Sequence, residues 1–286
     1  MARAQESDFV SYVNPLIGTQ SSFELSAGNT YPATAMPWGM NFWTPRTAKM
    51  GDGWQYTYTA NKIYGFEQTH QPSPWINDYG EFTIMPMSGK PVVDEAERAS
   101  WFSHKGEISM PHYYKVYLAD YDIVTELTPT ERAAMFRFTF PAGESFVAID
   151  AHNNGSHIEI IPQENKIIGY STRNSGGVPA NFRNYFVVVF DKPFEYTATF
   201  SHDGSTMPMQ LNVEAMQQTA DHTGAIIGFK TKQGEVVHAR VASSFISPEQ
   251  AEVNLRELGN DSFDTLVAAG RAKWNYVLGR IEVEDN

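Results

Sequence analysis

The sequence predicts a mostly β protein, an antiparallel β-sandwich followed by two C-terminal helices. Three observations carry this. Aromatic residues are abundant, with 18 Phe, 14 Tyr and 6 Trp, while charged residues make up only 19% of the chain, below the ~25% usual in globular proteins. Strand faces favour aromatic and β-branched side chains. Short alternating segments separated by turn residues run from Glu81 to about Ser243, the spacing of a sandwich. Finally, helix-start signals begin abruptly at Ser247-Pro248.

The same composition excludes other classes. The chain has 286 residues, 42% of them hydrophobic, a net charge of −12 and no cysteine. Disordered chains are poor in aromatics, and a disulfide scaffold needs cysteines. The acidic balance lacks the basic stripe that nucleic acid requires. Apolar runs such as Phe186–Phe190 fall far short of the ~20 residues of a membrane span. Ala2-Arg3-Ala4 before Gln5 fits the small-residue end of a secretory signal, with no apolar segment before it. A periplasmic or extracellular location is the expectation.

In chain order, residues 1–80 read as irregular and dense in Gly, Pro, Trp and Tyr. Ala134, Phe136, Phe138 and Phe140 then share one face of a strand, which ends at Pro141-Ala142-Gly143. Further strands are predicted at 145–150, 158–161, 184–190, 196–201, 210–213, 225–231 and 235–242. Gln233-Gly234 reads as the turn of a tight hairpin joining the last two. Ser247-Pro248-Glu249-Gln250 forms a capping box with Pro at the first helical position. Ala251, Leu255 and Leu258 then share a face, and Gly259 suits the stop. A second helix begins near Asp261 or Ser262, with Phe263, Val267, Trp274, Val277, Leu278 and Ile281 as its apolar stripe.

Residues 14–81 carry the candidate chemistry. Three stretches there, 14–19, 28–40 and 64–80, interleave aromatics with Asn, His, Asp, Gly and Pro. A sugar site needs such loops: the C–H face of a pyranose packs on Trp or Tyr, and its hydroxyls need oriented amides and carboxylates. Each residue also has a plainer role. Trp38, Trp43 and Trp54 read as core anchors, His70 as a donor to a backbone carbonyl, Asp78 as a turn cap, and Glu67 and Glu81 as strand-edge carboxylates. There is no phosphate-binding glycine loop, nucleophile elbow, zinc-protease motif or EF-hand, and the eight histidines are scattered. Glu24, Asp52, Glu67, Asp78 and Glu81 could supply a glycosidase carboxylate pair, but no spacing singles out two of them.

Together these stretches resemble the N-terminal part of glycoside hydrolase family 92, the calcium-dependent exo-α-mannosidases. The matching residues are Val13–Thr19, Gly28–Ala33, Pro37–Met40, Ile63–Phe66, Thr69-His70 and Asp78–Gly80. Glu126–Arg132, Phe138–Pro141, Ser243–Ser247, Ala251–Leu255 and Trp274-Asn275 continue the match, which thus covers nearly the whole chain. The family's Gly-His-Thr is Gly28-Asn29-Thr30 here. Its Ser-His-Thr-His is Glu67-Gln68-Thr69-His70, followed by Gln71–Trp75 in place of Leu-Ser-Gly.

The resemblance implies a galactose-mutarotase-like β-supersandwich over 1–245 and a helical linker over 246–286. The linker would lead to a C-terminal (α/α)6 domain absent from this chain. That domain would hold the general acid, the general base and the Ca²⁺ ligands of an inverting exo-α-mannosidase of the kind that degrades N-glycans in bacteria. This chain would then have no catalytic residue and no metal ligand. It would shape the site for a mannose-containing glycan, with Trp75 as stacking platform, His70 and Asp78 orienting the loop or binding sugar hydroxyls, and Asn29 and Tyr31 as further contacts. The face meeting the barrel would be apolar and could support self-association. The alternative from another class is a free-standing carbohydrate-binding sandwich without catalysis.

Overall fold

The computed structural model describes residues 8–20, 30–47, 55–70, 78–205 and 208–281. Eighteen strands lie among them. They are β1 (Phe42–Arg46), β2 (Lys62–Ile63), β3 (Gly65–Thr69), β4 (Phe82–Ser88), β5 (Ser100–Trp101), β6 (Ile108–Met110), β7 (Tyr113–Leu118), β8 (Ile123–Pro129) and β9 (Ala133–Phe140). The second half of the chain adds β10 (Gly143–Asp150), β11 (Ser156–Ile161), β12 (Lys166–Ser171), β13 (Asn184–Phe190), β14 (Tyr196–His202), β15 (Gln210–Asn212), β16 (Gln217–Ala220), β17 (His222–Thr231) and β18 (Glu235–Ser244). One large sheet has seven strands in the order β1-β3-β4-β10-β17-β14-β15, the other has nine, β16-β11-β12-β13-β18-β9-β8-β7-β6, and β2 and β5 pair as a separate two-stranded sheet. Every pairing is antiparallel. Mostly β, with an antiparallel sandwich and two C-terminal helices, is the architecture that the alternation and the capping signals predicted.

The main core fills the space between the sheets. Ala134, Phe136, Phe138 and Phe140, predicted to share a face, are all buried in it. Trp43 of the seven-stranded sheet meets Phe136 of the other at 5.1 Å, edge to face. Phe82 stacks on Phe186 across the same gap at 4.4 Å. Such ring pairs add stabilisation beyond the area they bury. The outer face of the seven-stranded sheet is covered too, with Val92 and Val93 packed on Met87, Phe146, Ala148, Phe200 and Ile226. Strand β17 is therefore buried on both sides and reads as a nearly continuous apolar run, because neither face sees water.

The two helices are α1 (Pro248–Leu255) and α2 (Phe263–Leu278). Ser247 caps the first by accepting from Gln250 N, and Ser262 caps the second by accepting from Thr265 N. They lie on the outer face of the nine-stranded sheet. Ala251, Leu258, Phe263 and Leu266 bury against Ala133, Met135, Val187 and Ala242. α2 also holds the start of the described chain: Val10 N donates to Asn275 Oδ1 at 2.9 Å and Trp274 Nε1 donates to the Ala35 carbonyl at 2.8 Å.

Four expectations are corrected. Gln233-Gly234 does form a tight turn, with Gly234 at φ +76° and Glu235 N donating to the Lys232 carbonyl at 3.0 Å. It is not a hairpin, however: β17 pairs with β10 and β14 while β18 pairs with β9 and β13. Both edges of each strand are taken, so the turn carries the chain from one sheet to the other. Trp38 is not a core residue but 84% exposed, because a turn at φ +64° points its ring outward. Trp43 is in the core, as expected, and Trp54 lies outside the described residues. Ile281 is also exposed, since α2 ends at Leu278 before the stripe reaches it. Finally, the segment read as irregular contributes β1, β2 and β3.

Candidate functional site

Three of the five predicted site residues, Tyr31, His70 and Asp78, gather at one end of the seven-stranded sheet, where β3 gives way to a loop and β4 begins. Asp78 is fully buried and organises that junction. Its Oδ1 accepts from Tyr79 N at 2.8 Å, its Oδ2 accepts from His70 N, and its own N–H donates to Glu81 Oε1 at 3.1 Å. A single carboxylate thus ties both ends of the intervening loop together. Next comes Gly80 at φ +66°, where an added Cβ would lie 2.3 Å from Asn184 Cβ, so only glycine fits. Asn184, from the opposite sheet, donates to the Gly80 carbonyl at 2.7 Å and to Gln68 Oε1 at 3.2 Å. It joins the two sheets at this end.

His70 Nδ1 lies 2.9 Å from the Tyr79 carbonyl. That bond holds the proton on Nδ1, the plainer role considered for this residue. Burial pushes His70 below the ordinary imidazole range, against the pull of Asp78. Tyr31 is buried, with its hydroxyl 3.2 Å from Thr69 Oγ1; burial raises its phenol well above the usual value, so it stays protonated. His70, Asp78 and Tyr31 therefore share one neighbourhood. Asn29 and Trp75 lie outside the described residues.

Around this junction is an arc of rings that sequence reading did not single out. His70 lies 4.7 Å from Phe245, Phe245 lies 5.6 Å from Phe182, and Phe182 lies 6.2 Å from Tyr79, measured between ring centres. Phe245 is 40% exposed and Tyr79, Phe182 and His70 are partly so. Aromatic faces beside fixed polar groups suit the apolar face of a sugar ring. Phe182 and Phe245 come from the far half of the chain; no local pattern marks Phe182, and the Ser243–Ser247 match that contains Phe245 did not point to this site.

Glu67 and Glu81 are not strand-edge carboxylates but are buried. Strand register places Thr44, Glu67, Thr83 and Asp150 side by side across β1, β3, β4 and β10, so they face the same way. Gln55 Nε2 donates to Glu67 at 2.9 Å, and Arg46 bridges Glu67 at 3.1 Å to Glu95 at 2.5 Å. Burial drives the Glu67 carboxyl well up; Arg46 opposes this and Glu81 and Asp78 add to it. Burial likewise raises Glu81 to about 7, helped by Asp78 and opposed by Arg173 3.6 Å away. Like charges crowded in a low-dielectric site favour the protonated form. Glu67, Asp78 and Glu81 are thus committed to internal partners. Glu24 and Asp52 lie outside the described residues.

Calcium takes six to eight oxygen ligands, and these carboxylates do not offer such a set. The one group of three His, Asp or Glu side chains found converging among the described residues, Asp150, His152 and His222, is rich in nitrogen. The described residues do not fit a calcium site, and no step is derived through that ion.

An antiparallel two-layer sandwich with a helical tail is the class of domain that the fold defines. The chain belongs to glycosyl hydrolase family 92, whose N-terminal domain it matches over residues 12–244. Among solved structures it is similar to the family's inverting mannosidase from Bacteroides thetaiotaomicron, with 44% identity, a TM-score of 0.92, and coverage of 99% of this chain and 38% of that one. An α-mannosidase of the same family and organism gives 28% identity and a TM-score of 0.84 over 98% of this chain and 39% of that one. A secreted glycosidase of Arthroderma benhamiae, uncharacterised, is 25% identical over 152 residues, which is 49% of this chain and 18% of that protein. The chain therefore spans less than two-fifths of each of these relatives. No helix among the described residues is long and apolar enough to cross a membrane.

Proposed function

We propose that this chain is the substrate-shaping N-terminal domain of an inverting exo-α-mannosidase that acts on mannose-containing glycans outside the cytoplasm. The observation that carries this reading is the 44% identity with an inverting mannosidase across 99% of the chain. The arc of Tyr79, Phe182, Phe245 and His70 agrees with it, supplying ring faces on a junction that the buried Asn184 and Asp78 hold in place. Trp75 and Asn29, which lie outside the described residues, are proposed as further sugar contacts from the sequence motifs alone. The catalytic acid and base and the calcium ligands would come from a C-terminal (α/α)6 domain. The inverting mechanism needs one carboxylic acid on the leaving oxygen and one carboxylate activating water, whereas the acids described here are buried and internally paired.

A face for that domain is also present. Tyr12, Ile17, Trp38, Tyr276 and Ile281 are each at least 70% exposed. Tyr12 ends the first turn, Ile17 follows it, Trp38 lies on the loop after Ala35, Tyr276 is on α2 and Ile281 lies just past its end; the first turn and the Ala35 segment each bond to α2. The test compares the 286-residue chain with the longest polypeptide that its reading frame encodes, on an aryl α-mannoside, with and without a calcium chelator. The expected result is no turnover by the chain alone. The longer polypeptide should release mannose as the β-anomer, with activity lost on chelation. Turnover by the chain alone, or release of the α-anomer first, overturns the reading.

A further inference from the structure

We propose that Asp150, His152 and His222 form a binding site for one zinc-class divalent transition-metal ion, at the same end of the seven-stranded sheet as the β3–β4 junction but on the neighbouring strands β10 and β17, and independent of the function proposed above. Two paired strands build it. β10 ends at Asp150, the chain turns at His152 with φ +59°, and β17 starts at His222, held beside β10 by the pairing of Asp150 with Gly224. Their donor atoms lie within 4.8 Å of one another. Asp150 Oδ1 is the shared point: His222 Nε2 lies 2.6 Å from it and His152 Nδ1 lies 3.3 Å from it. Asp150 Oδ2 is taken by Arg98, which fixes the carboxylate.

The second observation is an unsatisfied atom. His152 is fully buried, and its Nδ1 has no hydrogen-bond partner. Its other nitrogen, Nε2, lies 2.6 Å from Thr83 Oγ1. A metal-binding histidine typically donates its far N–H to such an acceptor, which leaves the near nitrogen as a lone pair. In that tautomer the Nδ1 lone pair faces Asp150 Oδ1 at 3.3 Å. A buried, unpaired acceptor facing an anion is costly, and a cation there satisfies both.

The dimensions fit. Zinc binds imidazole nitrogen and carboxylate oxygen at about 2.0–2.2 Å in a tetrahedron, which separates the donors by roughly 3.3–3.5 Å. The His152–Asp150 spacing already matches. The His222 ring would retreat by under ~1 Å, and it borders an open cleft of about 370 Å³ also lined by Glu95, Asn153, His202 and Asp221. The cleft gives an ion a way in and leaves the fourth position to water. Two imidazoles and one carboxylate favour zinc, cobalt or nickel over calcium or magnesium.

The test uses the full chain, stripped with chelator and then titrated with zinc, cobalt or calcium by calorimetry, with X-ray absorption on the zinc-loaded protein. One zinc per chain, two imidazoles in the absorption spectrum and a visible band of tetrahedral cobalt are expected, with no response to calcium. His222→Gln, at a partly exposed strand start, should abolish binding, while Thr83→Val should weaken it ten- to a hundredfold. Zinc binding that persists undiminished in His222→Gln overturns the proposal. So does a wild-type spectrum with fewer than two imidazoles, a reading that stands even if a variant fails to fold.

Discussion

Replacing Glu81 by Gln should change how the stability of this domain responds to pH. Glu81 is 1% exposed, and burial, reinforced by Asp78, raises its carboxyl from 4.5 to about 7. In the unfolded chain it would titrate near its ordinary value. Between those two values the unfolded chain gives up a proton that the folded chain keeps, so the wild type loses stability as pH rises through this window. Below the window the contribution is fully present, and above it the loss levels off. A tenfold change in equilibrium is about 1.4 kcal/mol, so the rise from 4.5 to about 7 amounts to about 3 kcal/mol. Glutamine still accepts from Asp78 N but does not titrate. Urea melts of both proteins from pH 4 to 8 should therefore show the variant gaining on the wild type by about 3 kcal/mol. The opposite trend from Asp150, which His152, His222 and Arg98 hold well below its usual value despite its burial, is common to both proteins and cancels in the difference. Glu67 acts in the same direction as Glu81, because removing the Glu81 charge relieves part of what pushes it up. A difference that stays constant within about 0.5 kcal/mol, or one that falls with pH, refutes the reasoning.

Two further substitutions test the frame. Phe136→Ala empties a fully buried position next to Trp43, Phe66 and Phe138 and should cost about 3–5 kcal/mol in chemical denaturation; a loss under about 1 kcal/mol would contradict the packing. Asn184→Ala strips the donor from the Gly80 carbonyl and Gln68 Oε1, which should cost about 1–3 kcal/mol and speed hydrogen exchange at the β3–β4 end of the sandwich before the rest.

Much of the fold was legible in the sequence where its cause is local. The alternation of Ala134, Phe136, Phe138 and Phe140 marks a strand because side chains alternate across a sheet. Ser247-Pro248 and Ser262 mark helix starts because an orphan N–H needs a nearby oxygen. The site was legible in part. His70, Asp78 and Tyr31 do share a neighbourhood, tied together by bonds that follow chain order. Phe182 gave no local signal, and the family-matching stretch Ser243–Ser247 said nothing of where Phe245 would sit. Asp150 and His152 gave none either: the strand ends at Asp150 and the chain turns at His152, and His222 is 70 residues further on, brought close only by the β10–β17 pairing.

By itself, the sequence determined the family, through motifs met in order along the chain, and the kinds of element, through periodicity and caps. Only the tertiary structure decided which strands pair and which charges are buried. Gln233-Gly234 shows why: a turn states that the chain reverses, but whether its arms meet edge to edge or face to face depends on which edges other strands have already taken. Glu67 and Glu81 show the same for charge. Nothing local separates a solvated carboxylate from a desolvated one, because desolvation comes from the segments that fold over it.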